Sequence, residues 1–192
     1  MHIEKGFSDF LNEHKALFCK LDEIAPNIIE AAELIVNTLK NKKKILICGN
    51  GGSASDAQHF AAEIVGRFEK ERKALPAVAL TTDSSILTAL GNDYGYDTIF
   101  SRQLEALSVP GDILVGISTS GNSGNVISAI EKAKINEVKS IGLLGRAGGK
   151  LASKVDKAVI VPHFVTARIQ EAHIFIIHFW AAYIEQKLFV SN

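Results

Sequence analysis

Five short apolar segments that alternate with helical patterns constrain the fold of this chain more than any other feature. The first is followed directly by a glycine, and buried parallel strands often have this composition. Helical patterns lie between the segments and after the last one. The expected strands are Lys44–Cys48, Ala77–Leu80, Ile113–Ile117, Ser140–Leu144 and Ala158–Val161. The expected helices are 53–66, 84–107 with a break at Gly91–Gly95, 123–134, 148–154 and 167–188.

This alternation predicts an α/β fold with a doubly wound, five-stranded parallel sheet, in a flavodoxin-like sandwich of three layers. Two further helical patterns, at 4–20 and 26–40, precede the first strand and therefore do not connect strands. They either cover the sheet or pack against another subunit. No linker or repeat interrupts the 192 residues, so we expect a single domain, with 1–43 as an N-terminal helical arm and 44–192 as the α/β core.

The charge balance and the apolar runs limit the partners that this chain is expected to have. Lys+Arg and Asp+Glu both number 21, so the basic excess typical of phosphate-backbone binding is missing. The longest apolar stretch, Ile174–Ile184, is too short to span a bilayer, and no secretory signal is visible. Cys19 and Cys48 form no CxxC pair and are expected to be buried, reduced thiols. We therefore expect a soluble, cytoplasmic protein with no nucleic-acid or membrane partner.

A loop rich in hydroxyl groups follows the third expected strand. It contains Ser118, Thr119, Ser120 and Ser123 together with two glycines, and a helix is expected directly after it. A helix N-terminus offers unpaired backbone N–H groups and the positive end of a dipole, which favour an anion. A single hydroxyl would be explained as a helix cap, but four at one strand end favour a phosphate site.

The loop after the first strand reads GNGGSASD over residues 49–56 and fits the GxGxxA dinucleotide-binding pattern only loosely. No acidic residue ends a strand about 20 residues later, and no Gly-Lys-Ser/Thr follows, so neither a dinucleotide site nor a P-loop is favoured. The remaining interpretation is a glycine turn that lets the backbone approach a small polar ligand. Asn50 and Ser53 are then the hydrogen-bonding candidates.

The helix after this loop carries His59 and Glu63 four residues apart, on one face. The pair could be a metal site, an acid/base site or an ordinary pair on a polar helix face. The last helix carries His178 among apolar residues, where a lone histidine is more often a core or interface group than a catalyst. The residues alone leave these alternatives open. The charged run Glu69–Lys73 is expected to be a solvated helix end, and neither His163 nor His173 has a strong functional case.

Taken together, these segments resemble the sugar-isomerase (SIS) family, and within it the phosphoheptose isomerases, over nearly the whole chain. The resemblance lies, in order, in CGNGGSASDAQHFAAE (48–63), GRF (66–68), ALGNDYG (89–95), GISTSGNSGN (116–125) and RIQEAHIFIIH (168–178). It implies conversion of sedoheptulose 7-phosphate to D-glycero-D-manno-heptose 7-phosphate through an enediol. This is the first step of ADP-heptose synthesis for lipopolysaccharide or another surface polysaccharide. The family resemblance also implies a homotetramer with active sites at subunit boundaries.

The same resemblance implies roles for individual residues. Glu63 would be the general base and His178 the general acid. One zinc ion per subunit would be bound by His59, Glu63, Gln170 and His178. Ser118, Thr119, Ser120 and Ser123 would hold the phosphate. The other substrate-binding residues would be Asn50, Gly51, Gly52, Ser53, Glu63, Arg67, Asn92, Asp93 and Gln170.

One geometric conflict concerns Gln170 and His178. On one regular helix, residues eight apart lie about 12 Å apart along the axis and about 80° apart around it. One zinc ion cannot readily take both ligands from such a helix. We therefore expect either that Gln170 lies at or before the start of the last helix, or that the two ligands come from different subunits.

Three other functions compete with catalysis on a heptose phosphate. A non-catalytic branch of the same family forms homotetramers that bind the replication initiator protein, and the presence of both Glu63 and His178 argues against it. A sugar-phosphate-sensing regulator usually carries a helix-turn-helix domain, for which the 192 residues leave no room. An isomerase for another sugar phosphate has no distinguishing residue in this sequence.

Overall fold

The computed structural model of the protein describes residues 3–189. Its α-helices are α1 (Ile3–Phe18), α2 (Ala25–Lys40), α3 (Gly52–Val65), α4 (Ser84–Tyr94), α5 (Ser101–Leu107), α6 (Gly124–Ile135) and α7 (Thr166–Phe189). Its strands are β1 (Ile45–Gly49), β2 (Ala77–Ala79), β3 (Ile113–Ser118), β4 (Lys139–Gly145) and β5 (Lys157–Val161). Single 3₁₀ turns occur at Leu21–Ile24, Tyr96–Thr98 and Gly149–Leu151.

The five strands form one parallel sheet in the order β2-β1-β3-β4-β5, which confirms the predicted fold class. The chain crosses from one side of β1 to the other between β2 and β3. In open parallel sheets, ligands bind beyond the carboxyl ends of the strands at such a change of direction. The loops after β1 and β3 therefore flank the position where a ligand is expected.

Each face of the sheet is covered by a separate layer of helices. Ile45 and Ile47 of β1 point into the layer formed with α2, α3 and α7, and the intervening Leu46 and Cys48 point into the opposite layer with α5 and α6. All four side chains are fully buried, because a strand with helices on both faces exposes neither set of alternate residues.

The two N-terminal helices differ in their environment. The apolar face of α2 is buried against the sheet and α7, with Ile35 and Val36 fully buried. By contrast, α1 exposes Phe7 and Phe10 by 69% and 55%. Large exposed aromatic side chains on one helix are typical of a surface that contacts another molecule.

Three sequence predictions about local structure are wrong. The helix expected at 148–154 is only the 3₁₀ turn Gly149–Leu151, because Gly148 and Gly149 have positive φ angles of 81° and 54° that a right-handed helix cannot contain. Cys19 is exposed, so only Cys48 is a buried thiol. The run Glu69–Lys73 is exposed as expected except at Arg72, whose side chain is 1% exposed, but it is not a helix end, because α3 stops at Val65. Within residues 3–189, no helix is long and apolar enough to cross a membrane.

Candidate active site

The hydroxyl groups of the loop after β3 converge on one another. Ser118 Oγ lies 2.9 Å from Ser123 Oγ and 3.5 Å from Ser120 Oγ, and it accepts a hydrogen bond from the Gly121 N–H. Ser123 is the N-cap residue of α6, yet its side chain makes no capping hydrogen bond to that helix. The simple capping explanation therefore fails for Ser123. The loop instead presents clustered hydroxyls beside the N-terminus of a 12-residue helix, a combination that suits a phosphate.

A glycine fixes the shape of this loop. Gly121 has a φ angle of +66°, and a Cβ atom added there would overlap the carbonyl oxygen of Gly148 in the neighbouring loop. The Asn122 side chain completes this contact by accepting a hydrogen bond from the Lys150 N–H at 3.0 Å. The loops after β3 and β4 therefore hold each other in place through backbone contacts that leave no room for a side chain.

Two asparagines connect the loop after β1 with the start of α6. Asn50 and Asn125 exchange two side-chain hydrogen bonds of 2.8 Å, and the Tyr96 hydroxyl donates to Asn50 Oδ1 at 2.9 Å. Asn50, Gly51 and Tyr96 also line a cavity of about 120 Å³ between β1 and the helices that follow β2. Neither Asn125 nor Tyr96 was assigned a role from the sequence. Asn125 stands inside the hydroxyl-rich segment, but its spacing gave no indication that it pairs with a residue 75 positions away.

The other residues predicted to bind substrate lie in several different places. Ser53 is buried in the first turn of α3, while Asn92 and Asp93 are exposed at the end of α4, where Asn92 donates to Asp93 at 2.7 Å. Arg67 is exposed just after α3, and its Nε atom lies 3.6 Å from Glu71 Oε2. Their substrate-binding roles stay predictions, as does that of Thr119, which is half-buried in the loop after β3.

His59, Glu63 and His178 form a compact cluster where α3 and α7 pack together. His59 Nε2 lies 2.9 Å from Glu63 Oε1 and 3.4 Å from His178 Nε2, and one ligand atom from each residue lies within 4.8 Å of the others. A tetrahedral zinc ion places its nitrogen and oxygen ligands roughly 3.3 Å apart. Two imidazole nitrogens and a carboxylate oxygen at these separations are a donor set that fits zinc. His178 has apolar neighbours in the sequence, but in the fold it contacts the polar side chain of His59 from another helix.

Gln170 lies apart from this cluster in the same chain. It is the fifth residue of α7, so the expectation that it lies at or before the helix start is wrong. Its side chain packs on Gly52 at the beginning of α3, where an added Cβ atom would overlap Gln170 Nε2. His178 is eight residues further along the same helix, about 12 Å along its axis. A shared metal therefore requires the second expected arrangement, in which Gln170 comes from a different subunit.

Two titratable groups, His173 and the partly buried Asp56, were also missed as structural features. His173 is fully buried, and Nε2 lies 3.0 Å from the Leu144 carbonyl oxygen at the end of β4. Burial lowers the pKa of His173 to about 4, against the opposing influence of this hydrogen bond, so the ring is neutral. Burial raises the pKa of Asp56 to about 6, and His59 partly counteracts this increase. No sequence pattern reports such burial, because it depends on how α7 and α3 pack.

The hydroxyl-rich loop and the His59–Glu63–His178 cluster are separated along α3. This helix starts at Gly52, near the loop after β3, and His59 and Glu63 lie seven and eleven residues further, about 10 and 16 Å along the axis. One chain therefore carries a loop suited to binding a phosphate near the start of α3, and a cluster suited to acid/base chemistry or metal binding towards the end of that helix.

Comparison with known proteins agrees with this combination of features. Residues 9–145 match the model of the SIS domain family. The chain is 52% identical to a phosphoheptose isomerase of Nitratiruptor over 97% of this chain and 98% of the relative, and 58% identical to that of Geobacter sulfurreducens over 87% and 88%. The solved phosphoheptose isomerase of Neisseria gonorrhoeae superposes with a TM-score of 0.91 at 47% identity, over 96% of this chain and 99% of that one. The chain therefore belongs to the SIS family and, within it, to the phosphoheptose isomerases.

Proposed function

We propose that this protein converts sedoheptulose 7-phosphate to D-glycero-D-manno-heptose 7-phosphate. The observation that carries the proposal is the meeting of Glu63 and His178, from two different helices, in a chain more than half identical to phosphoheptose isomerases. Reversible exchange of an aldose and a ketose requires one group that moves a carbon-bound proton and another that serves the oxygens. A carboxylate and an imidazole can divide these tasks.

In the proposed reaction, Glu63 removes a proton from C1 of the ketose while His178 donates a proton to the carbonyl oxygen at C2. The product of this step is an enediol. Protonated Glu63 then returns the proton to C2, and His178 recovers a proton from the hydroxyl at C1, which leaves an aldehyde at C1. Both residues end the cycle in their starting protonation states. Each such group typically accelerates a proton transfer by about 10²–10⁴-fold.

The proposed metal is zinc, bound by His59, Glu63 and His178 together with Gln170 of another subunit. Zinc would supply Lewis-acid polarisation of the substrate carbonyl and would orient the sugar. Glu63 and His178 each serve in this proposal both as a ligand and in proton transfer. A carboxylate bound tightly to a metal is a weaker base, and an imidazole nitrogen that binds zinc carries no proton to donate. Ligation by both residues would therefore have to loosen during turnover.

We further propose that the active protein is a homotetramer whose sites combine groups from more than one subunit. The separation of Gln170 from His178 within one chain supports this, as does the distance along α3 between the hydroxyl-rich loop and Glu63. The exposed Phe7 and Phe10 of α1 provide apolar surface for such contacts. The phosphate would be held by the hydroxyl groups of Ser118, Thr119, Ser120 and Ser123, and the product would enter ADP-heptose synthesis.

The non-catalytic, initiator-binding function is less well supported. A carboxylate and two imidazoles from α3 and α7 lie within 4.8 Å of one another, as an acid/base or metal site in an enzyme requires. The chain retains both Glu63 and His178, the two residues whose loss is expected in that branch. The cluster therefore favours the enzyme.

Turnover of sedoheptulose 7-phosphate by the purified protein tests the proposal. We expect activity that falls by at least about 10²-fold in Glu63→Gln, because the amide cannot accept the proton. Glu131→Gln is the matched control, since Glu131 is an exposed carboxylate paired with Lys154. The measurement is made on metal-stripped and zinc-restored samples that have the same elution volume in gel filtration. A correctly folded wild-type protein that is inactive in both conditions would contradict the proposal.

A further inference from the structure

A buried ion pair connects α7 with the segment that follows α3. Glu185 Oε1 lies 2.9 Å from Arg72 Nε, and the two side chains are 2% and 1% exposed. Glu185 stands seven residues after His178, on the same helix. Charged side chains are rarely buried to this extent unless every polar atom of the pair is satisfied, so the partners of each group show what the pair holds together.

The Glu185 carboxylate binds three consecutive backbone amides. It accepts hydrogen bonds from the N–H groups of Phe68 at 2.9 Å, Glu69 at 3.1 Å and Lys70 at 2.9 Å. Burial alone would raise the pKa of Glu185, but the three amides and Arg72 outweigh burial and lower it. The carboxylate is therefore ionised and fixes the backbone of the segment immediately after α3.

The Arg72 guanidinium binds the other side of this junction. Its Nη2 donates to the Glu63 carbonyl oxygen at 2.7 Å, and its Nη1 donates to the Ile64 carbonyl oxygen at 3.0 Å. These carbonyls belong to the last turn of α3, where the helix itself supplies no donors. Arg72 thus caps the helix turn that carries the Glu63 side chain.

Phe68 extends this arrangement to the histidine cluster. The centroid of its ring lies 5.5 Å from that of the His178 ring, and the His178 ring lies 5.0 Å from that of His59. His178 is therefore bracketed by His59 and by Phe68, whose own N–H group is bound to Glu185. The side chain of Phe68 is only partly buried and belongs to neither core layer, so core packing does not explain its position.

We propose that Glu185 and Arg72 are positioning residues that set the mutual placement of Glu63 and His178. They act on Glu63 through the end of α3, and on His178 through Phe68. We call this pair the Glu185–Arg72 clamp. Its effect on turnover rests on the proposed isomerase function. Its effect on the placement of Phe68 and His178 does not depend on any reaction.

Glu185→Gln tests the clamp because the amide retains an acceptor oxygen but loses the charge that satisfies Arg72. We expect hydrogen exchange at the Phe68, Glu69 and Lys70 amides to become at least about tenfold faster. The side-chain NMR signals of His178 should shift and its NOE to the Phe68 ring should weaken, in protein without added metal. The zinc dissociation constant should rise about 10- to 100-fold, as is typical when a group that supports metal ligands is lost. The kcat should fall more than KM changes.

Phe68→Leu tests the second half of the proposal with a residue outside the core. It preserves the backbone N–H bond to Glu185 and removes only the ring beside His178. We expect weaker NOEs between the His178 and His59 rings, weaker zinc binding and a lower kcat, while the backbone amides of residues 69 and 70 stay protected from hydrogen exchange. Phe164→Leu is the matched control, because Phe164 is 76% exposed in the loop before α7 and should change none of these quantities.

The outcomes separate the clamp from the isomerase proposal. Unchanged His178–His59 NOEs and zinc affinity in folded Phe68→Leu would overturn the positioning role, whatever Glu185→Gln does. Faster amide exchange in Glu185→Gln with unchanged His178 signals would also overturn it, because the pair would then be purely structural. If the wild type has no turnover but the two variants show the expected NMR changes, only the isomerase proposal is contradicted.

Discussion

The buried neutral histidine under the end of β4 should make stability depend on pH in a way that can be measured. His173 has a pKa of about 4 in the folded protein, against an ordinary value of 6.5 in an unfolded chain. Between these values the unfolded chain binds a proton at His173 and the folded protein does not. Protonation therefore favours unfolding, and the stability present above about pH 6.5 is lost as the pH falls towards 4.

The magnitude follows from the gap between the two pKa values. Each pH unit in this window costs about 1.4 kcal/mol, so the full loss in the free energy of unfolding is about 3 kcal/mol. This is a large fraction of the stability of an ordinary domain. Asp56 acts in the opposite direction. Its pKa is raised to about 6 in the fold, so the folded protein takes up this proton first and gains stability as the pH falls below 6.

The comparison of wild type with His173→Gln isolates the histidine. The glutamine amide can still donate to the Leu144 carbonyl oxygen, but it does not titrate. We expect the stability advantage of the wild type over the variant to shrink by about 3 kcal/mol between about pH 7 and pH 4. Asp56→Asn should show the reverse trend relative to the wild type.

Urea titrations at several pH values and one fixed protein concentration measure these differences, since concentration alters the apparent stability of an oligomer. Parallel stability curves for wild type and His173→Gln across this range would contradict a lowered pKa of His173 in the folded protein. They would mean that the folded protein accepts the proton at His173 as readily as the unfolded chain does.

Three further predictions concern the candidate site. Ser120→Ala should raise KM by about tenfold with a smaller effect on kcat, because a phosphate donor is lost; an unchanged KM in steady-state kinetics would contradict a phosphate role for this hydroxyl. Gly121→Ala should lower stability by more than about 1 kcal/mol, since its φ of +66° and the Gly148 carbonyl both exclude a Cβ atom, and an unaltered melting temperature would contradict this constraint. Gly52→Ala displaces only the end of the flexible Gln170 side chain, so turnover should fall while the melting temperature changes little. Full activity in that variant would count against a role for Gln170.

The candidate site could be predicted from the sequence only in its local parts. The hydroxyl-rich loop after β3 was identified because its residues are neighbours in the chain and its position follows from the strand pattern. The His59–Glu63 pair was identified for the same reason. The pairing of Asn50 with Asn125 and the contact of His59 with His178 join residues 75 and 119 positions apart, and no spacing rule connects them.

The incorrect expectations have the same physical origin. The run Glu69–Lys73 has the composition of a solvated helix end. Arg72 is nevertheless buried, because its side chain forms an ion pair with Glu185 of α7. The pattern at 148–154 is helical in its apolar spacing, but the contact of Gly148 and Gly149 with Gly121 imposes a tight turn instead. In both cases a partner remote in sequence overrides a local preference.

The alternation of strands and helices could be predicted from the residues alone, as could the chemistry available at the carboxyl ends of β1 and β3. These properties follow from apolar periodicity and from residue types within a few positions of one another, so they need no knowledge of the fold. The folded protein alone shows that α7 brings His178 to His59 and Glu63, leaves Gln170 two turns away at Gly52, and buries Glu185 against Arg72. Those placements depend on how one helix packs against another, and helix packing is set by the whole core of the protein.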